Sequence, residues 1–494
     1  MNANWIRLPS ALILAGLLVS PSGLAGTTLD LCQQLITPPE SNSVIQQQRY
    51  LAQLVQLTDQ LRAAPSRAQE LAQCHHLASK ALATLDHQAS QPVTQLTAEA
   101  AYLNLTTASK RQLRLDRVDC QLDETTDPQP ALLPLRRQDV GRYLYQSPGE
   151  RCSQYVWLGW ENRGGNDTRL LLDRILQAAS DHAKSQGYSD SVEHALAGNY
   201  LDSPQKVSRW LQSLPVSQAE LPWQPHAVPR YRNLNPAQLS QAALQALTAT
   251  LGLTLAKLDN GSWQVWDQRR YLGVVTLTPG KRTELRVIQR HIVGHHFGVA
   301  EVVYRSKTKW RFSHVEQLLA RQSQALYALA GQPLATHQGQ RWEADLQGLT
   351  AALGEALAHS ASFSAPLGPL PPATPQGFQA SELFDAEMAL VVWRQDSLDE
   401  AGLMQAQSRL FQHYFHHPAP SHWRWWNSRP QLIRQGPLLY RKQLSRQLAA
   451  QLISRWQQGQ LSGSQLWRQL YVDTNHQPMT STLDALGVGL HQRQ

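Results

Sequence analysis

Residues Phe312–Gly331 read FSHVEQLLARQSQALYALAG. Val315, Leu318, Leu319, Leu326 and Leu329 recur three and four apart. They therefore share one face of a helix and suit it to burial. Arg321 and Gln324 interrupt this apolar pattern. Downstream, the chain keeps a helical pattern except at 360–377, SASFSAPLGPLPPATPQG. That stretch is rich in Pro, Ser and Gly and reads as an exposed linker.

Upstream, the pattern is helical with one small β element. Residues 42–85 repeat apolar side chains at helical spacing and break at APSR (64–67), which predicts a two-helix hairpin. A third helix is expected over 98–113. Segment 116–155 reads as mixed, with short strands expected near RYLYQS (142–147) and QYVWLGW (154–160). Helices are expected over 167–186 and 191–199. A further helix opens at SPQKVSRWLQSL, with Ser203 as N-cap and Pro204 at the first helical position. After the proline-rich connector PWQPHAVPRYRNL and the helix AQLSQAALQALTATLGL, the stretches SWQVWDQRRYLGVVTLT and FGVAEVVYRS read as strands.

The chain has 494 residues, 42% of them hydrophobic, which is ample for a packed core. At the N-terminus, Arg7 precedes an apolar run over 8–19, and Gly23–Ala25 supplies small residues. This predicts a cleaved signal peptide over 1–25 and a periplasmic or secreted protein with no membrane span. The remaining sequence divides into a helical region over 26–115, a mixed segment over 116–165 and a helical domain with the small β element over 166–494. Four cysteines, Cys32, Cys74, Cys120 and Cys152, fit disulfides in an exported chain. Three pairings are possible; Cys32–Cys74 and Cys120–Cys152 are favoured because each pair flanks one compact segment.

The formal net charge is +8. Ten Lys and Arg residues against two acids, Asp473 and Asp484, concentrate it in 403–494. A solvated basic face is the plain reading; an acidic peptide or other anion as partner is the functional one. No nucleic-acid-binding module is present in the sequence. It also carries no nucleophile elbow, phosphate-binding glycine loop or dinucleotide fingerprint.

Four ordered segments resemble the thimet oligopeptidase and oligopeptidase A family of zinc metallopeptidases. The first spans 166–214 and carries Gly187, Tyr188, Ser203 and Pro204. The second is LPWQPHAVPRY (221–231). The third contains Leu251–Gly252–Leu253, Trp263, Gly273 and Gly280–Lys281–Arg282. The fourth begins at FSHVEQLLARQSQALYALAG and continues through RWEADLQGL and ELFDAEMAL. The resemblance covers roughly 166–490. It implies a mainly α, two-lobed metallopeptidase-like body with a central channel and a small β element.

The family places His-Glu-x-x-His on one helix, where the two imidazoles share a face, hold zinc and leave the Glu to activate water. The resemblance puts Ala320 and Gln324 at the histidine positions, Arg321 at the Glu and Leu346 at the third ligand. Ala and Leu offer no donor, and the fixed cation of Arg321 would repel a dication. No zinc cofactor and no catalytic residue are expected of this set. In the C-terminal part, Gly436 and Tyr440 match, Arg429 or Pro430 falls on a family His, and Pro437 on a family Tyr.

The resulting expectation is an exported, non-catalytic homologue. It would bind a peptide or protein segment, possibly an acidic one, in a retained channel lined by Arg321, Gln324 and Tyr440. One alternative is an active metallopeptidase with a rearranged site. His291 and His295 are four apart in HIVGHH, and His413, His416, His417 and His422 gather in HYFHHPAPSHWRWW. A loop packed through its aromatics is the plain reading of the second group. The other alternative is an assembly protein of the envelope that works through its outer surface. Glu382 and Asp385, three apart, read as solvated or capping acids.

Overall fold

The computed structural model describes residues 112–115, 120, 132–146, 149–218, 220–224, 234–292, 296–331, 346, 348–368, 370, 378–472 and 479–490. The signal-peptide reading, the 42–85 hairpin, the Cys32–Cys74 pairing and His295 lie outside them.

The described residues are mainly helical, with one five-stranded sheet and two two-stranded ones. Gln112–Arg114 (β1) and Leu132–Pro134 (β2) form an antiparallel pair. The end of the helix expected over 98–113 is therefore strand. Arg137–Gln146 (α1) and Glu150–Glu161 (α2) follow. Where strands were expected near 142–147 and 154–160, residues 142–146 and 154–160 are thus helix. Tyr, Trp and Val favour strands as residue types, but burial decides the outcome here. Cys152 and Val156 are buried four apart, as are Ser153 and Trp157, which is one helical face. Cys120 and Cys152 are disulfide-bonded, in the pairing favoured from their spacing. The bond sits in its own small core with Leu115, Leu135, Val140, Tyr143 and Val156. Within it the Tyr143 hydroxyl donates to the Cys120 carbonyl at 2.6 Å. Burial pushes this phenol up to about 12.

The next helices are Gly165–Ser185 (α3), Ser191–Leu196 (α4) and Pro204–Ser213 (α5). Ser203 caps α5 by accepting from the Lys206 N–H, with Pro204 in the first turn. Val216–Gln218 (β3) precedes Pro236–Thr250 (α6), which Asn235 caps through the Gln238 N–H.

Five strands then form the main sheet: Thr254–Lys257 (β4), Trp263–Asp267 (β5), Arg270–Gly280 (β6), Glu284–Gln289 (β7) and Gly298–Arg305 (β8). Their order is β4-β5-β6-β8-β7, antiparallel except for the parallel β6–β8 pair. Gly273 pairs with Gly298 at the start of that parallel ladder. Gly273 has φ +148°, and a Cβ on it would strike the Gly298 carbonyl. A Cβ on Gly298 would strike Leu329. The two glycines let the long helix Phe312–Leu329 (α7) close onto the sheet.

Leu349–Ala358 (α8), Phe378–Gln379 (β9), Ala380–Trp393 (α9), Glu400–Phe415 (α10) and Arg441–Gln457 (α11) complete the body. β9 pairs in parallel with β3. Within the stretch read as a linker, Ala361–Ser364 is helical and buries Phe363. One continuous apolar core joins α3 to α11, and its tryptophans cluster where Trp157, Trp223 and Trp423 meet.

Candidate functional site

The apolar face read from the sequence buries α7 fully at Val315, Leu318, Leu319, Leu326 and Leu329. The first turn is tied by the Arg311 N–H donating to His314 Nδ1 at 3.0 Å. The last turn is held by His291. Its backbone N–H donates to the Ala328 carbonyl, and its ring Nδ1 lies 2.8 Å from the Leu329 carbonyl. A carbonyl only accepts, so Nδ1 carries the proton. Burial keeps the imidazole below its usual pKa, against the Leu329 bond and with help from Arg270 and His296. His291 therefore terminates a helix.

α8 packs antiparallel on α7. Glu316 meets His359, Gly354 meets the backbone of Leu319 and Ala320, and Ser323 donates to the Thr350 carbonyl. Only a residue without a side chain admits that middle contact, since a Cβ on Gly354 would overlap the Leu319 carbonyl. The Ser323 hydroxyl also lies 2.5 Å from the Tyr471 hydroxyl, a buried polar knot between the helices and the C-terminal segment.

The four positions that the resemblance assigns to the zinc site divide sharply here. Ala320 is 4% exposed, and its backbone lies against Gly354 of α8. Leu346 is fully buried just ahead of α8, and Gly348, two residues on, also lacks a donor. Arg321 is exposed, and its Nη1 donates to Gln324 Oε1 at 2.6 Å, with Gln324 half-buried. The structure thus brings Arg321 and Gln324 together on the open side of α7. The donor set does not fit zinc: two of the four side chains are hydrocarbon, one is a cation, and the remaining amide oxygen already accepts from that cation.

A charged lattice next to these positions escaped the sequence reading. His359 Nε2 lies 2.8 Å from Glu316 Oε1. Arg446 bridges Glu355 at 3.3 Å and Glu382 at 3.0 Å, and Lys442 pairs with Glu382 at 2.9 Å. Burial opposes the Glu382 charge, but Lys442 and Arg446 outweigh it and hold the carboxyl below its usual value. A faint signal existed. Glu316 stands one turn before Ala320, Glu355 and His359 are four apart, and so are Lys442 and Arg446.

Asp385, read with Glu382 as one acidic pair, belongs to a different assembly. It accepts from Trp425 Nε1 at 2.5 Å and lies 3.4 Å from Arg429 Nε. Arg429 also donates to Glu161 at 2.9 Å, and Glu161 is 2% exposed. Burial works against the Arg429 charge, yet Asp385 and Glu161 prevail and raise its pKa. Arg429 thus joins α2, α9 and the Trp425 turn.

Tyr440 is fully buried, its ring 6.1 Å from that of Trp210, so it belongs to the packed interior and not to an open wall. The C-terminal histidines are dispersed. His413 and His422 are exposed, and His416 ends α10 at φ +53°. His417 packs edge-on against Trp223. Trp423, Trp425 and Trp426 are buried beside them, so the loop is packed through its aromatics. Among the described residues, no three His, Cys, Asp or Glu side chains are placed to hold a metal ion. No helix among them is long and apolar enough to cross a membrane.

No family model matches the sequence, and no curated protein matches it. Solved structures do. A chain designated oligoendopeptidase F is similar with a TM-score of 0.50 and 12% identity, over 94% of this chain and 80% of that one. Pz peptidase A, solved with an inhibitor, gives 0.49 and 8% identity, over 94% and 93% of the two chains. The M32 carboxypeptidase of Deinococcus radiodurans R1 gives 0.48 and 13%, over 93% and 95%. The first of these likenesses establishes a peptidase-like helical fold.

Proposed function

We propose that this chain is an exported, non-catalytic relative of the zinc oligopeptidases that binds a peptide or protein segment along the open side of α7. The observation that carries this reading is the exposed Arg321–Gln324 pair. It stands where the resemblance places a catalytic Glu and a zinc-binding His, beside a buried Ala320 and Leu346. A hydrolytic zinc site needs ligands that donate lone pairs and a carboxylate that takes a proton from water. This set supplies no imidazole and no carboxylate, and its one lone-pair donor, the Gln324 amide oxygen, already accepts from Arg321. What it does supply is a guanidinium whose remaining N–H groups can bond a carboxylate on the ligand. Hence the preferred segment is acidic. The Cys120–Cys152 disulfide is compatible with an oxidising compartment, which supports export.

The test pairs two measurements on the purified mature protein. A fluorogenic peptide library should show no metal-dependent cleavage by the wild type. In parallel, a labelled acidic peptide should bind, and Arg321→Glu should weaken it about tenfold or more. Chelator-sensitive turnover by the wild type, or equal affinity in the Arg321→Glu variant, defeats the reading.

A further inference from the structure

We infer that a second ligand site exists away from Arg321, in the groove between α5 and the end of α9, and that it takes a carboxylate group, the C-terminal end of a peptide fitting it best. The groove has a volume of about 380 Å³ and is lined by Pro204, Gln205, Ser208, Arg209, Gln212 and Arg394. That is room for a ligand the size of an amino-acid residue or two.

Its wall is a helical stripe. Gln205, Ser208, Arg209 and Gln212 are spaced three and four apart, so they share one face of α5. The opposite face is anchored. Val207, Trp210 and Leu211 are buried, and Trp210 Nε1 donates to Gln447 of α11 at 2.6 Å. The stripe is also braced from below. Glu387, 4% exposed, accepts from the Ser208 hydroxyl at 2.5 Å, from Gln212 Nε2 at 2.6 Å and from the Tyr414 hydroxyl at 2.8 Å. Both Glu387 oxygens are thereby engaged. The same bonds turn the Gln212 amide so that its nitrogen points at Glu387 and its oxygen stays free to accept.

The charge of the lining is one-sided. It contains two guanidinium groups and no carboxylate. Arg209 is exposed and makes no ion pair or hydrogen bond with any described residue. Arg394 lines the groove and contacts Asp190 through its Nε alone, at 3.4 Å. The exposed Glu193 also sits close enough to feel Arg394, so Arg209 is the less compromised of the two cations. Two guanidinium forks recognise a carboxylate, and an amide oxygen beside them recognises an N–H. A peptide C-terminus presents both groups within one residue. A free small carboxylate presents only the first.

The experiment uses the full mature chain and isothermal titration with N-acetyl-trialanine as the free acid, the same peptide as its C-terminal amide, and acetate. The free acid should bind at least about tenfold more tightly than the amide. Arg209→Ala should lose about tenfold or more of that affinity while its melting temperature stays that of the wild type. If acetate competes at equal concentration, the carboxylate alone is recognised. If it does not, the peptide end is the ligand. Equal binding of acid and amide, an unchanged affinity in Arg209→Ala, or no binding up to about 10 mM overturns the inference. Because Arg321 lies on another helix, Arg321→Glu should leave this binding unaltered. The present inference and the proposal for α7 therefore fail separately.

Discussion

Arg321 falls where the family resemblance expects a Glu, Arg429 is one of two residues, with Pro430, that fall on a family His, and the structure gives the two arginines opposite surroundings. Arg321 lies on the exposed side of α7 and has one neutral partner, Gln324. Arg429 is enclosed by Glu161 and Asp385, under Trp423 and Trp425, which donate to the same two carboxylates. The difference is one of counter-charge and solvent. A guanidinium between two partly or fully buried carboxylates is spent on holding helices together. A guanidinium facing water with an amide partner keeps donors for a ligand at little structural cost. The same residue type therefore marks a joint in one region and a contact surface in the other.

The sharpest way to break this contrast is to remove Arg429. Arg429→Ala strands Glu161 and Asp385 without their cation, and the expected loss is about 3–5 kcal/mol. Chemical denaturation measures it directly. A change below about 1 kcal/mol would mean the clamp contributes no more than an exposed ion pair.

A smaller effect is expected from acid. His291 is buried neutral, and its folded pKa lies below its unfolded value. For a base shifted down, the stabilising contribution is complete above the unfolded pKa. It drains away as pH falls from there toward the folded pKa, because the unfolded chain binds the proton more readily. The wild type should therefore lose up to about 1.4 kcal/mol per pH unit below pH ~6.5 from this group. His291→Asn, whose amide can still donate to the Leu329 carbonyl, should flatten that part of the curve of melting temperature against pH. Parallel curves would show that the imidazole is not the titrating group.

The smallest expected effect sharpens the other half of the comparison. Arg321→Ala should change stability by no more than about 0.5 kcal/mol, because its side chain is exposed and its one partner is neutral. A loss of 2 kcal/mol or more, read in the same denaturant titration (a range seen when a buried polar group is stranded), would place Arg321 among the structural arginines.

How much of this was legible in advance differs from element to element. The apolar face of α7, the Ser203–Pro204 start of α5 and the β5, β6 and β8 strands were readable, because each rests on local spacing or on a cap within three residues. The strands expected at 142–147 and 154–160 were misread. Their aromatic and β-branched residues favour strand as isolated types, while the disulfide core selects the helical face that buries Cys152 and Val156 together. At the candidate site, residue type alone shows that Ala320 and Leu346 carry no metal-binding donor. The lattice of Glu316, His359, Glu355, Arg446 and Glu382 could not, because its members come from four helices.

By itself, the sequence determined which side chains α7 carries and where a buried helix must run. Both depend on side-chain identity and a period of 3.6 residues. Only the tertiary structure decided that Tyr440 is core, that Glu382 and Asp385 serve different assemblies, and that Arg209 faces a groove while Arg429 does not. A charged side chain's role depends on how much water and counter-charge surround it, and both are set by segments up to 268 residues away along the chain, the separation of Arg429 and Glu161.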